Sequence, residues 1–224
     1  MQQAFIILLC MIQTSTLMAQ KTSTKQKIES TFAAHERKLI TDGKGTMHVF
    51  LVTDEMELAV LSATSKDIDP ADPLLQTLIA RMLATVQDEA HAGVGIAAPQ
   101  VGINKNLILV QRFDKVGGPF ESYINPKIIW RSTLLRTGAE GCLSIPDRRE
   151  EVERSYAIRL QYDLPSGDVV EENVEGFTAV IFQHEIDHLF GILYPDRVEE
   201  QEATPSTSLN TSIKFSAKDG APPL

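Results

Sequence analysis

Gln183-His184-Glu185-Ile186-Asp187-His188 is the stretch on which the reading of this chain turns. On a helix, residues four apart share one face a turn apart, so the imidazoles of His184 and His188 can reach one ion. Glu185 then points at whatever that ion holds. The surroundings favour a helix. Phe177, Val180, Ile181, His184, His188 and Leu189 fall on one stripe at helical spacing, and Gly191 follows as a stop. The plain alternative is a buried helix with two satisfied histidines. Two histidines do not complete a metal site, because a zinc-like ion takes about three protein ligands plus an open position. The third must come from elsewhere in the chain.

The totals narrow the search. The 224 residues are 43% hydrophobic and 23% charged, which fits one globular domain with extensions. The formal net charge of -9, with no basic run, argues against nucleic acid or an anionic membrane as a direct partner. Of the two cysteines, Cys10 lies in an apolar leader and Cys142 in the body, so a disulfide framework is excluded. A single cysteine beside a two-histidine motif is a candidate ligand or nucleophile. Its other reading is a small buried hydrophobe.

Residues 1–20 resemble a secretory signal peptide: a short apolar run, then Leu17-Met18-Ala19 before the expected cut. The run is too short for a comfortable membrane span. It lacks Lys and Arg, and Leu17 is large for its place. If the leader is cleaved the protein is exported or periplasmic; otherwise it is cytoplasmic. Residues 21–45 form a polar extension in which Ile28, Phe32, His35 and Leu39 offer a helical stripe. Met47 to Val52 and Met56 to Leu61 read as short strands. Asp72-Pro73 opens a helix expected from about residue 72 to 91, its stripe running from Leu74 to Val86. The small residues of Gly93-Val94-Gly95-Ile96-Ala97-Ala98-Pro99-Gln100 let a backbone pass close to something. A nucleotide loop is ruled out, since no strand feeds it and no Lys-Ser/Thr follows. The stretch reads as an active-site wall, with Gln100 as an amide donor. Strands are expected at Leu107–Val110, Tyr123-Ile124, Lys127–Trp130, Tyr156–Tyr162 and Val169–Val174. Glu140-Gly141-Cys142-Leu143-Ser144-Ile145-Pro146 is a tight segment that presents the Cys142 sulfur. The main domain thus spans 46–199, and 200–224 is a polar tail expected to be disordered or loosely packed.

Three stretches together, Gly93–Gly102, Glu140–Pro146 and Gln183–His188, resemble in order and spacing the signature motifs of peptide deformylases. Asn125-Pro126 and Tyr194-Pro195-Asp196-Arg197 also look like that family. The likeness runs from about Val60 to Arg197. It implies an α+β fold: antiparallel β-sheets wrapped around the central helix that bears the His-Glu-x-x-His stretch, with an N-terminal helix packed outside. It implies that Cys142, His184 and His188 hold one divalent metal ion, naturally Fe2+, with Zn2+, Ni2+ or Co2+ also suited. Glu185 would be the acid/base, and the Gln100 amide and the Leu143 backbone N–H would receive the developing oxyanion. The implied activity is removal of the formyl group from the formylmethionine of peptides or nascent chains. Gly93, Val94 and Gly95 would pair with the peptide backbone. Ile96, Val180 and Ile181 would line a pocket for the methionine.

The chain departs from the pattern in its long N-terminal extension, in Leu61-Ser62 where a Leu-Arg pair is common, and in Asp147 where glycine is usual. Two rivals are weighed. A zinc peptidase also carries His-Glu-x-x-His, but its third ligand lies downstream, where this chain has no further histidine and only Glu199, Glu200 and Glu202 in a polar stretch. A non-catalytic peptide binder on a decayed fold would be expected to lose the metal and acid/base residues, and all are retained.

Overall fold

The computed structural model describes residues 30–90, 92–209 and 212–216, so the leader reading at 1–20 lies outside the described residues. In chain order the helices are α1 (Ala34–Thr41), α2 (Glu55–Leu61), α3 (Leu75–Val86), α4 (Gly176–Leu189) and α5 (Tyr194–Ala203). The strands are β1 (Gly95–Ala97), β2 (Leu107–Gln111), β3 (Phe120–Arg131), β4 (Leu134–Cys142), β5 (Ile145–Ser155), β6 (Ala157–Asp163), β7 (Val169–Glu175), β8 (Thr207–Ser208) and β9 (Ile213–Phe215). They form two antiparallel sheets, one ordered β1-β2-β3-β6-β7 and one ordered β5-β4-β9-β8. This is the α+β arrangement expected, with the motif helix α4 packed against both sheets.

The period-two alternation of a strand explains how α4 becomes central. On β2, Leu107 and Leu109 face α3 and join Leu75, Leu78 and Met82 in one core cluster. Ile108 and Val110 face the other way and join Phe182, Ile186 and Leu189 of α4 in a second. Both faces of β2 are therefore buried from Leu107 to Val110, which is why that part is an unbroken apolar run before Gln111. Each fully buried side chain of this kind contributes about 1.5–3 kcal/mol, so α4 is held by its apolar side while its histidines face the second sheet.

Several expectations are corrected. Met56 to Leu61 is not a strand but α2, because Asp54 accepts hydrogen bonds from the Met56 and Glu57 N–H groups and caps it. Met47 to Val52 is extended but joins no sheet; its Phe50 N–H donates to Gln100 O and its Val52 N–H to Ser144 O. The two strands expected in residues 123–130 are one, β3, whose register shifts at Asn125-Pro126. The β4–β5 hairpin was not anticipated beyond the segment around Cys142, since its residues are largely charged. The stripe in the extension is Phe32, Glu36 and Ile40, all buried, with His35 and Leu39 outward. Arg81 on α3 closes the end of α1 by donating to Leu39 O, Ile40 O and Asp42 O. The tail is ordered further than expected: α5 runs to Ala203, and β9 pairs with β4. Asp147, where glycine is usual, takes the left-handed φ of 58° that aspartate tolerates.

Gly191, just past the Phe190 cap of α4, has a φ of +70°, and a Cβ there would stand 2.3 Å from Ser62 O. That oxygen is backbone and cannot step aside cheaply. Gly191→Ala is therefore expected to lower unfolding free energy by about 2 kcal/mol or more, read from denaturant midpoints at unchanged m.

Candidate metal centre and cleft

α4 puts the His184 and His188 rings 5.2 Å apart, centroid to centroid. β4 ends at Cys142, one step before the two-residue turn Leu143-Ser144, and that turn holds the sulfur over the helix. Cys142 Sγ lies 3.3 Å from His188 Nε2. Ligand atoms of Cys142, His184 and His188 all lie within 4.8 Å of one another, a spacing fit for one ion. The thiol and both imidazoles therefore meet as the sequence led one to expect.

The surroundings of these groups favour positive charge between them. Burial pushes the Cys142 thiol up, but His188 and His184 beside it outweigh burial and hold it well below its ordinary value. A thiol biased towards thiolate is the form that binds metal. Burial lowers His184, yet its contacts with Cys142 and Glu140 hold it well above its usual value. His184 Nδ1 lies 2.8 Å from Glu140 Oε2, which fixes the tautomer and leaves Nε2 for the site. Glu140 and Cys142 are two apart on β4 and so share a face.

Glu140 is in turn held by Arg154, whose Nε and Nη2 reach its two oxygens at 2.8 and 2.9 Å. Burial opposes the charge on Glu140, but Arg154 keeps its carboxyl down at about 2. Arg154 Nη1 also donates to Asp187 on α4, and Arg197 Nη2 donates to the same carboxylate at 2.6 Å. The second sheet, α4 and α5 are thus locked together behind the histidines. Neither Arg154 nor the role of Glu140 was read from the sequence. The signal available was the two-residue step from Glu140 to Cys142.

Glu185 is 4% exposed and its Oε2 has no hydrogen-bond partner among the described residues. Burial raises it to about 7, against the pull of the two histidines. A buried, unpartnered carboxylate oxygen beside a thiol–imidazole cluster is what an ion with bound water would satisfy. Gly95 makes room for it: a Cβ there would sit 2.4 Å from Glu185 Oε1. Gly95→Ala is expected to rotate that carboxylate away and lower kcat about tenfold or more with metal content unchanged, as measured by metal analysis beside initial rates. Gln100 is buried, its Oε1 held by Ala97 N–H at 2.9 Å and its Nε2 3.4 Å from Cys142 Sγ.

The centre opens into a cleft lined by Gly93, Val94, Gly95, Val180 and Ile181, together with Leu143. Ile96 does not belong to it. Neighbours on a strand face opposite ways, and Ile96 is fully buried in the cluster under α3. Phe177 takes its place. Helical periodicity put it on the buried stripe, yet it is 44% exposed and lines the cleft beside Val180.

The sequence pattern of the polypeptide deformylase family matches residues 48–204. The peptide deformylase of Caulobacter sp. (strain K31) is 39% identical over 151 residues, 67% of this chain and 86% of that protein. That of Thermotoga neapolitana is 40% identical over 140 residues, 62% of this chain and 82% of that one. Among solved structures, the Thermotoga maritima peptide deformylase superposes with a TM-score of 0.61 at 36% identity, covering 69% of this chain and 98% of its own. A class I type b peptide deformylase from Acinetobacter baumannii with Met-Ala-Ser bound gives 0.59 at 34% identity, covering 68% and 98%.

Proposed function

Because the chain belongs to the peptide deformylase family, and so removes the formyl group from N-terminal formylmethionine, we propose a division of labour among its residues for that reaction. The observation that carries the proposal is the Cys142–His184–His188 cluster with the unpartnered Glu185 carboxylate against it. The three ligands would hold one divalent ion, which supplies Lewis acidity towards the formyl oxygen and towards water.

Glu185 takes a proton from the attacking water as its oxygen adds to the formyl carbon. It returns that proton to the methionine nitrogen as the C–N bond breaks, so formate and a free amine leave. Its position near 7 suits both halves of the exchange. The Gln100 amide and the Leu143 backbone N–H donate to the oxygen that gains charge. One such donor is typically worth about 3 kcal/mol, or roughly a hundredfold in rate. Asp187 and Glu140 do not exchange protons; they hold the helix and His184 in place. Phe177, Val180 and Ile181 take the methionine side chain, and the peptide backbone extends along Gly93–Gly95. That an Acinetobacter relative is seen with Met-Ala-Ser bound supports a peptide as the substrate.

Fe2+ fits a thiolate–imidazole set and is the ion we assign as natural; Zn2+, Ni2+ and Co2+ fit the same donors. Metal analysis after strictly anaerobic purification tests this, and a protein with full activity and no iron would overturn it. The substrates are formyl-methionyl peptides or nascent chains. Among the described residues no helix is long and apolar enough to cross a membrane. We assign residues 1–20 to export, and N-terminal sequencing of the protein from its native cell decides: a start after Ala19 supports it, an intact Met1 refutes it. The activity itself is tested by formate release from formyl-Met-Ala-Ser. Cleavage of an internal amide without formate would instead favour a zinc peptidase.

A further inference from the structure

Beyond the residues that carry out the reaction, the tail of the chain bears on which peptides it accepts. β4 has two edges. One pairs with β5 from Leu135 to Cys142. On the other, β9 pairs with Leu134, Leu135 and Arg136, and Thr137 N–H donates to Ser212 O at 3.3 Å. From Gly138 to Cys142 no strand among the described residues covers this second edge. That open length runs into the cleft: Ala139, Gly141 and Cys142 line it together with Gly93–Gly95.

We propose that β9 is a stop that sets how many residues after formylmethionine can pair with β4. The proposal rests on the deformylase reading, which fixes the formyl end at Cys142. A peptide leaving that point along the open edge, antiparallel to β4, runs towards Thr137. β9 is also antiparallel to β4 and begins on the same edge where such a peptide arrives. The two would lie in line, end to end, and cannot share residues Leu134–Arg136. At one residue per strand step, roughly five or six substrate residues fit before the tail is met. Longer chains must turn away there and gain no further pairing. The stop is fastened: Ser216 N–H donates to Thr133 O at 2.9 Å, and Lys214 Nζ lies 2.6 Å from Glu153 Oε1 on β5. Ladder alternation turns the Lys214 N–H towards Leu135 as well.

The test uses the full-length, metal-loaded protein and formyl-Met peptides of increasing length. For the unaltered chain kcat/KM should rise from tripeptide to hexapeptide and then stay level to the decapeptide. A continued rise to the decapeptide overturns the proposal. Lys214→Pro/Ser216→Pro removes the N–H that β9 turns towards Leu135 and the N–H just beyond β9 that reaches Thr133 O. In that protein the decapeptide should outperform the hexapeptide about threefold to tenfold, from the added backbone hydrogen bonds. Lys214→Ala, which loses the ion pair but keeps the ladder, should behave as the unaltered chain. Superimposable length profiles for the double-proline and unaltered proteins, with fast amide exchange at Leu135 and Thr137 in the former, would refute the stop. Tripeptide turnover by the unaltered chain reports separately on the deformylase reading, because a tripeptide does not reach β9.

Discussion

Replacing Glu185 with alanine should leave the metal bound and cut turnover by about a hundred- to ten-thousand-fold, the usual worth of a positioned general acid/base. The two properties separate because Glu185 sits beside the ligand cluster without belonging to it. Its neighbours in sequence and space, His184 and His188, keep their helix and their spacing when the carboxylate is gone. Cys142→Ala gives the opposite pattern. It removes the one ligand that carries negative charge, and the ion goes with it. The comparison is made by metal analysis and formate release on the same preparations. Glu185→Gln is the stricter version, since it keeps the shape that packs against Gly95 and removes only the exchangeable proton site. A Glu185→Ala protein with native turnover would mean that the proton moves by another route. A Cys142→Ala protein with a full complement of metal would mean that the sulfur is not a ligand.

The two histidines and Glu185 were legible from a local mark, while Cys142 joined them as a ligand through the family resemblance. His184, Glu185 and His188 are fixed by helix geometry alone, and Cys142 stands in a short glycine- and proline-bracketed segment. The strands of the first sheet were legible for a related reason: a run such as Leu107–Val110, buried on both faces, is apolar throughout. The β4–β5 hairpin was not. Arg148, Arg149, Glu150, Glu151 and Glu153 give it the look of a loop, and the pairing that orders it is made across the hairpin rather than within either strand. α2 was misread because a short apolar run without clear period fits both helix and strand, and its cap at Asp54 went unused. Ile96 and Phe177 exchanged roles for a simpler reason. Sequence says which residues are apolar, while the direction each points depends on where β1 and α4 meet. Arg154 had no local mark at all: its partners lie fourteen residues before it and thirty-three after.

Arg154 is also where the largest loss of stability is expected. Its guanidinium side chain is 4% exposed and stands between Glu140 and Asp187, which are 7% and 3% exposed. Arg154→Met fills much of the same volume but, among the described residues, leaves Glu140 with His184 and Asp187 with Arg197 as side-chain partners. Removing one partner of a buried charge pair typically costs about 3–5 kcal/mol, because the remaining charge is stranded away from water. Nothing comparable protects the variant, so it should melt well below the unaltered protein. Metal affinity should fall too, by roughly tenfold to a hundredfold, since Glu140 orients His184 only while Arg154 orients Glu140. The two effects can be separated by adding Glu140→Gln to Arg154→Met. The amide removes the stranded charge, so much of the lost stability should return. It also removes the anion that strengthens His184 as a donor, so the metal affinity should not return. Recovery of both together would show that Glu140 matters for packing alone, and recovery of neither would place the damage at Asp187.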